Sequence, residues 1–225
     1  MTKPAFQAVI FDLDGLVLDS ESGYFAAWQQ AAAQMGYRLS QAFCQSLSGS
    51  HGRRINQRLA ERFGRDFELE QFHELSNQIW RERVGQTGIP VKKGFYQTLQ
   101  CIETLQMPYC LATNSRRGDA EQCLAWAGLA GVFAKLICRE DVENPKPAAD
   151  IFLKAAETIG ISPQCCLVLE DSPIGVAAAV SAGCTCLFVP SVLPADPDAS
   201  GMAHRVLPDL CAVADFISAA MVDPL

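Results

Sequence analysis

The stretch Ala8-Val9-Ile10-Phe11-Asp12-Leu13-Asp14-Gly15 joins an apolar run to two carboxylates and a glycine. A short apolar run closed by a turn signal is the pattern of a buried strand, and Gly15 lets the chain turn away at once. Two carboxylates therefore lie two residues apart at a strand end. Carboxylates that close repel in their ionised forms, so the spacing points to a bound cation or a perturbed pKa. Taken alone, an Asp-x-Asp pair is more often a plain acidic loop. Three later segments tip the balance.

Tyr109-Cys110-Leu111-Ala112 runs into Thr113-Asn114-Ser115, small polar residues whose side chains and backbone can donate hydrogen bonds to an anion. Lys146 precedes Pro147, and proline is favoured at the first position of a helix. Lys146 is thus expected just before a helix N-terminus, where a cation beside the positive dipole end makes a phosphate site. Cys166-Leu167-Val168-Leu169 ends in Glu170-Asp171-Ser172, a further apolar run closed by acids. Each segment alone has an ordinary alternative: a turn threonine, a solvated lysine, an acidic helix start.

Between these segments the chain changes character. Phe25, Trp28, Ala32 and Met35 recur at helical steps, as do Ile55, Leu59 and Phe63, and Phe72, Leu75 and Ile79. Gly36, Gly64 and Gly85 fall near expected helix ends. No strand signal interrupts residues 20–85, which makes that block an all-helical insertion. From Pro90 onward, helices and strands alternate: strands at 109–112, 136–138, 166–169 and 185–189, helices near 118–126, 148–159 and 173–182. Such alternation predicts an α/β fold, a parallel sheet with helices on both faces, with its chemistry beyond the carboxyl ends of the strands. Residues 190–208, rich in Pro, Ala, Asp and Ser, read as a long surface loop before a last helix.

Composition narrows the function. The chain has 225 residues, 49% of them hydrophobic, enough for a sizeable core. A formal net charge of −7 excludes the basic stripe of a nucleic-acid-binding surface. An anionic substrate would then be drawn in by local positive features. The 10 cysteines form no CxxC pair, which argues against a zinc or thioredoxin-like site. Most read as small buried hydrophobes; Cys165-Cys166 and Cys184-Thr185-Cys186 are the pairs that could sense redox state. There is no signal-peptide pattern and no run of about 18 apolar residues, so a cytoplasmic, reduced protein with no membrane partner is expected. Nothing in the sequence specifies an oligomeric state.

In this order the four segments resemble the haloacid dehalogenase superfamily of phosphotransferases, and the resemblance covers essentially the whole chain. It is nearest to the branch holding β-phosphoglucomutase and small sugar-phosphate phosphatases, through Phe11-Asp12-Leu13-Asp14-Gly15, Lys146-Pro147 and Leu169-Glu170-Asp171-Ser172. The resemblance implies a Rossmann-like core of residues 1–17 and 86–225 and a helical cap of residues 18–85, hinged near Leu18-Asp19-Ser20 and Gly85-Gln86-Thr87-Gly88. A cap that opens and closes would exclude water during chemistry.

The resemblance also implies Mg²⁺ as cofactor and a small phosphorylated metabolite, by default a sugar phosphate, as substrate. Asp12 would be the nucleophile that forms an aspartyl-phosphate, and Asp14 the group that protonates the leaving oxygen and then activates water. Thr113, Lys146 and the Asn114 backbone would hold the phosphoryl oxygens. Asp171, Asp12 and the Asp14 backbone carbonyl would ligate Mg²⁺, with Glu170 either a further ligand or support for one. In the cap, Gly49-Ser50-His51-Gly52-Arg53-Arg54 offers His51 and Arg53 to a phosphosugar; the alternative is a solvated face.

Asp14 argues for oxygen-linked phosphoryl transfer, because carbon–halogen and phosphonate-cleaving relatives lack an acid there. Mutases of the β-phosphoglucomutase type carry a histidine in an E-x-x-H setting of the first cap helix, where this chain has Tyr24 after Glu21. That favours a phosphatase over a mutase. A phospho-accepting signalling module also combines acids, Mg²⁺, Thr and Lys, but is shorter, lacks the insertion and has no acid at the position of Asp14.

Overall fold

The computed structural model describes residues 6–47 and 52–222. Six strands form one sheet in the order β3-β2-β1-β4-β5-β6, and every pairing is parallel. They are β1 (Ala8–Phe11), β2 (Tyr109–Ala112), β3 (Leu136–Ile137), β4 (Cys166–Glu170), β5 (Thr185–Phe188) and β6 (Arg205–Val206). Parallel strands need crossover connections, and the helices supply them. These are α5 (Phe95–Thr104), α6 (Arg117–Trp126), α7 (Asp150–Ile159), α8 (Pro173–Ser181) and α9 (Pro197–Met202); α10 (Leu210–Val222) follows the last strand.

The side-chain period of two divides β1 between the sheet's faces. Ala8 and Ile10 join Val168, Cys186, Ile151, Phe152, Val176 and Ala179 in a core under α7 and α8. On the other face, Phe11 meets Phe95 of α5 and Phe133 edge-on, with ring centroids 5.9 and 5.6 Å away. Burial on both faces is why β1 and β4 read as continuous apolar runs.

The chain divides into two compact units. One comprises the chain up to Leu18 and again from Pro90; the other is Asp19–Ile89. The second is helical, with α1 (Ser20–Gln34), α2 (Gln41–Gln45), α3 (Gly52–Phe63) and α4 (Leu69–Thr87), and no strand among its described residues. In it α1 packs along α4, where Tyr24 stacks on Trp80 at 4.5 Å with the rings 6° from parallel. Where the sheet unit gives way to this insertion, Leu18 bridges Val91 and Lys92 N–H donates to the Val17 carbonyl at 2.9 Å. The chain thus leaves the sheet unit and re-enters it at neighbouring points.

Three expectations need correction. Pro147 does not open a helix. It sits in a Pro145–Ala148 turn, joined to Lys146 by a cis peptide bond and closed by Ala148 N–H donating to the Pro145 carbonyl at 3.0 Å; α7 starts three residues later. Gly85 does not end α4, which continues to Thr87 and stops at Gly88, so residues 86–89 lie in the helical unit. The 190–208 segment is not all loop. Asp196 caps α9 by accepting from Ala199 N–H at 2.8 Å, and Arg205–Val206 adds β6 to the sheet edge. Burial pushes the Cys166 thiol up to about 11 and the Cys184 thiol up to about 12. Among the described residues no helix is long and apolar enough to cross a membrane.

Candidate active site

Because β1 pairs on either side with β2 and β4, the residues just beyond these three strands are brought side by side. Phe11 lies opposite Leu111 and Leu169, so Asp12, Ala112 and Glu170 follow level with one another. Asp12 extends the ladder, its N–H donating to the Leu169 carbonyl at 3.1 Å; Thr113 N–H donates to the Ile137 carbonyl at 2.9 Å. The sheet therefore places backbone first and chemistry second.

Lys146 reaches into this row from the turn before α7 and is only 5% exposed. Its ammonium donates to Asp12 Oδ1 at 2.5 Å, Glu170 Oε1 at 2.6 Å and the Ala112 carbonyl at 2.9 Å. An ammonium has three donors, and all three are engaged. The Phe152 ring lies 4.9 Å from it and closes the apolar side. Burial works to lower the Lys146 ammonium, but the charges of Asp12 and Glu170 outweigh it and raise it above its ordinary value. Burial also pushes the Asp12 carboxyl upward, a rise that Lys146 opposes and that Glu170 and Asp14 reinforce.

Lys146 is held in turn through its main chain. Lys146 N–H donates to Asn114 Oδ1 at 3.0 Å, and Asn114 Nδ2 donates back to the Lys146 carbonyl at 3.2 Å. The Asn114 side chain is therefore a clamp on the turn rather than a group aimed at a ligand. Next to it, Ser115 Oγ donates to Asp14 Oδ2 at 2.7 Å, and Ser115 N–H donates to Thr113 Oγ1 at 3.0 Å.

Glu170 is wholly buried. Its Oε2 accepts from Asp171 N–H at 3.1 Å, Ser172 N–H at 3.3 Å and Ser172 Oγ at 3.1 Å. Ser172 also caps α8, accepting from Gly175 N–H at 3.1 Å, with Pro173 at the first position. One carboxylate oxygen of each of Asp12, Glu170 and Asp171 lies within 4.8 Å of the others. Three hard oxygen donors in one buried spot suit a divalent cation such as Mg²⁺. Room for this set depends on Gly15: it has φ of +85°, and a Cβ there would fall 2.0 Å from Asp171 Oδ2.

The structure thus brings Asp12, Asp14, Thr113, Asn114, Lys146, Glu170 and Asp171 to one end of the sheet. His51 lies outside the described residues, and Arg53 is described as backbone only, in the first turn of α3. Elsewhere on α3, Arg58 and Arg62 lie over the Phe43 ring at 5.9 and 5.2 Å, a local packing role. Ser115, expected with Thr113 and Asn114 to donate to an anion, turns its hydroxyl to Asp14 instead, and the parts that Ser172 and Gly175 play around Glu170 were not foreseen, although the Ser172-Pro173 cap was readable from its residue types.

The chain is similar to known proteins over most of its length. The chain is 28% identical over 183 residues to the fructose-1-phosphate phosphatase YqaB of Escherichia coli (strain K12), covering 79% of this chain and 93% of that one. It is 29% identical over 181 residues to the phosphorylated carbohydrates phosphatase of Thermotoga maritima, covering 79% and 82%. Among solved structures, the HAD family hydrolase of Deinococcus radiodurans R1, with bound phosphate and sodium, matches with a TM-score of 0.81 at 26% identity, covering 98% of both chains. The family model described as haloacid dehalogenase-like hydrolase matches residues 9–189, a span that holds every residue of the site described above. The chain belongs to the haloacid dehalogenase-like hydrolases.

Proposed function

We propose that this protein is a Mg²⁺-dependent phosphatase that hydrolyses a small phosphate monoester of the sugar-phosphate class through an aspartyl-phosphate on Asp12. The observation that carries this reading is the buried row Asp12–Lys146–Glu170, with Thr113 and Asp14 beside it. The names of the Escherichia coli and Thermotoga maritima relatives supply the substrate class.

Asp12, Asp171 and the Asp14 backbone carbonyl would hold Mg²⁺, with Glu170 as a further ligand or as support through Lys146. When bound, Mg²⁺ offsets the repulsion between these carboxylates and a phosphate dianion. The Asp12 carboxylate attacks phosphorus as the ester P–O bond breaks, and Asp14 gives its proton to the departing oxygen. Water then attacks the phosphorus of the acyl phosphate, Asp14 takes the proton, and inorganic phosphate leaves with Asp12 restored. The Thr113 hydroxyl and the Asn114 N–H donate to the phosphoryl oxygens. Lys146 joins them by exchanging Asp12 Oδ1 for a phosphoryl oxygen, since its three donors are otherwise engaged. The helical unit would serve as the cap, and Tyr24, a phenol stacked on Trp80, replaces the histidine of the mutases and favours water as the acceptor.

The test is phosphate release from a panel of sugar, polyol and nucleotide monophosphates, fructose 1-phosphate included, with and without Mg²⁺ and with Asp12→Asn alongside. Release that needs both Mg²⁺ and Asp12 supports the reading. Release that survives Asp12→Asn removes it.

A further inference from the structure

We infer that Arg117 is a positioning residue for phosphate: through Glu140 and Asp141 it holds the Thr113–Ser115 segment where that segment meets the phosphoryl group. The inference rests on the reading in which Thr113 and Asn114 hold the phosphoryl oxygens. It assigns a role to an ion pair that lies outside the buried row.

Alternate residues of the chain leaving β2 are tied to the segment around β3. Thr113 N–H donates to the Ile137 carbonyl at 2.9 Å, and Arg139 N–H donates to the Ser115 carbonyl at 3.1 Å. Arg117 is tied most heavily. Its N–H donates to Glu140 Oε2 at 3.2 Å, and its Nη2 donates to Asp141 Oδ2 at 2.5 Å and to the Leu136 carbonyl at 3.1 Å. Asp141 is itself set in place, since its Oδ2 also accepts from Cys138 N–H at 2.7 Å.

The helix that Arg117 opens does not account for it. Arg117 is the first residue of α6, where the positive end of the dipole disfavours a cation. Glu140 and Asp141 offset that charge, and Glu140 takes one of the amide donors that a helix start leaves without an intrahelical partner. Stability does not account for it either. The Arg117 and Asp141 side chains are 43% and 31% exposed, and pairs so open to water are worth little.

What the pair provides is direction. β3 has only two residues with which to hold the chain beside β2. Beyond them, the contacts of Arg139, Glu140 and Asp141 keep the segment in register. A displaced segment would carry the Thr113 hydroxyl and the Asn114 N–H out of hydrogen-bond reach of a phosphoryl oxygen.

The test is equilibrium binding of inorganic phosphate to the Mg²⁺-loaded full chain, beside binding of Mg²⁺ alone. Arg117→Met keeps the aliphatic stem, removes the guanidinium, and is expected to weaken phosphate binding by about 10-fold. That is less than the roughly 10² of a 1 Å displacement, because Arg139 still holds Ser115. Mg²⁺ affinity should change by less than about 2-fold, since Asp12, Glu170 and Asp171 come from β1 and β4 rather than from this segment. Arg117→Lys keeps a cation for Asp141 and should bind phosphate within about 3-fold of the unchanged protein.

Unchanged phosphate affinity in Arg117→Met overturns the proposal. So does an equal weakening of phosphate and Mg²⁺, which marks a general loosening of the fold, and so does a lysine variant no better than the methionine one. Thr113→Ala separates the two levels of the argument. If it weakens phosphate and Arg117→Met does not, only the role of Arg117 falls. If Thr113→Ala leaves phosphate affinity intact, or the unchanged protein binds no phosphate, the underlying reading falls and takes this inference with it.

Discussion

A Cβ placed on Gly175 would lie 1.9 Å from the Glu170 carboxyl carbon and 2.0 and 2.1 Å from its two oxygens. No side chain fits there while Glu170 stays in place. Alanine is ordinarily the better helix residue by about 1 kcal/mol, so Gly175→Ala in α8 would stabilise an unencumbered helix. Here the clash dominates. Gly175→Ala is expected to destabilise by about 1–3 kcal/mol, the usual cost of overpacking. It should also lower kcat sharply, because Glu170 can yield only by releasing Lys146 and Ser172. Thermal unfolding and steady-state rates check this together; a raised Tm would show that Glu170 has room to move.

Lys146 stands between two buried carboxylates, so removing it leaves like charges without a counter-ion. Lys146→Met is expected to cost about 3–5 kcal/mol in the presence of a chelator. Added Mg²⁺ should recover part of that loss, because a divalent ion among Asp12, Glu170 and Asp171 replaces the missing positive charge. The check is Tm for both proteins with EDTA and with Mg²⁺. An equal Mg²⁺ effect on the two would mean that the ion does not bind among these carboxylates.

The paired amide bonds between Asn114 and Lys146 predict a functional loss larger than the structural one. Asn114→Ala removes two hydrogen bonds worth about 1 kcal/mol each at most, while freeing the turn that carries the ammonium. Activity should fall by about 10²-fold, the cost of misplacing a group by roughly 1 Å. Asn114→Asp keeps the acceptor for Lys146 N–H and should fall less. Equal losses in the two variants would argue against the clamp.

His73 gives the helical unit a pH dependence. Its Nε2 lies 2.6 Å from Asn56 Oδ1, and burial holds the imidazole below its ordinary value of 6.5. The folded chain therefore binds its proton less readily than the unfolded chain does. Stability from the neutral ring is fully present above about 6.5 and drains away as pH falls toward the lower folded value. Tm followed from pH 7.5 to 5.5 should fall less steeply in His73→Gln than in the unchanged protein.

The sequence showed the sheet well where burial wrote a local pattern. β1, β2 and β4 are continuous apolar runs because both faces are covered, and each runs into residues of the candidate site. β6 left no such pattern, since two exposed residues on a sheet edge satisfy no periodicity. The turn at Lys146-Pro147 is not legible because proline before an apolar run signals a helix start, whereas α7 begins only at Asp150. Among site residues, acids and lysine declared themselves by charge next to strand ends. The contacts of Asn114, Ser115 and Gly175 were not legible: each is set by a partner that only the fold brings near, and for Asn114 and Ser115 that partner is remote in sequence.

The central position of β1 also fixes when the protein can begin to work during its own synthesis. Lys146 follows Asp12 by 134 residues, and Glu170 lies later still. Until β4 has left the ribosome and docked beside β1, Asp12 has neither Glu170 beside it nor its buried surroundings. A nascent chain therefore carries Asp12 apart from its partners, and the buried row is assembled only when the sheet's centre closes.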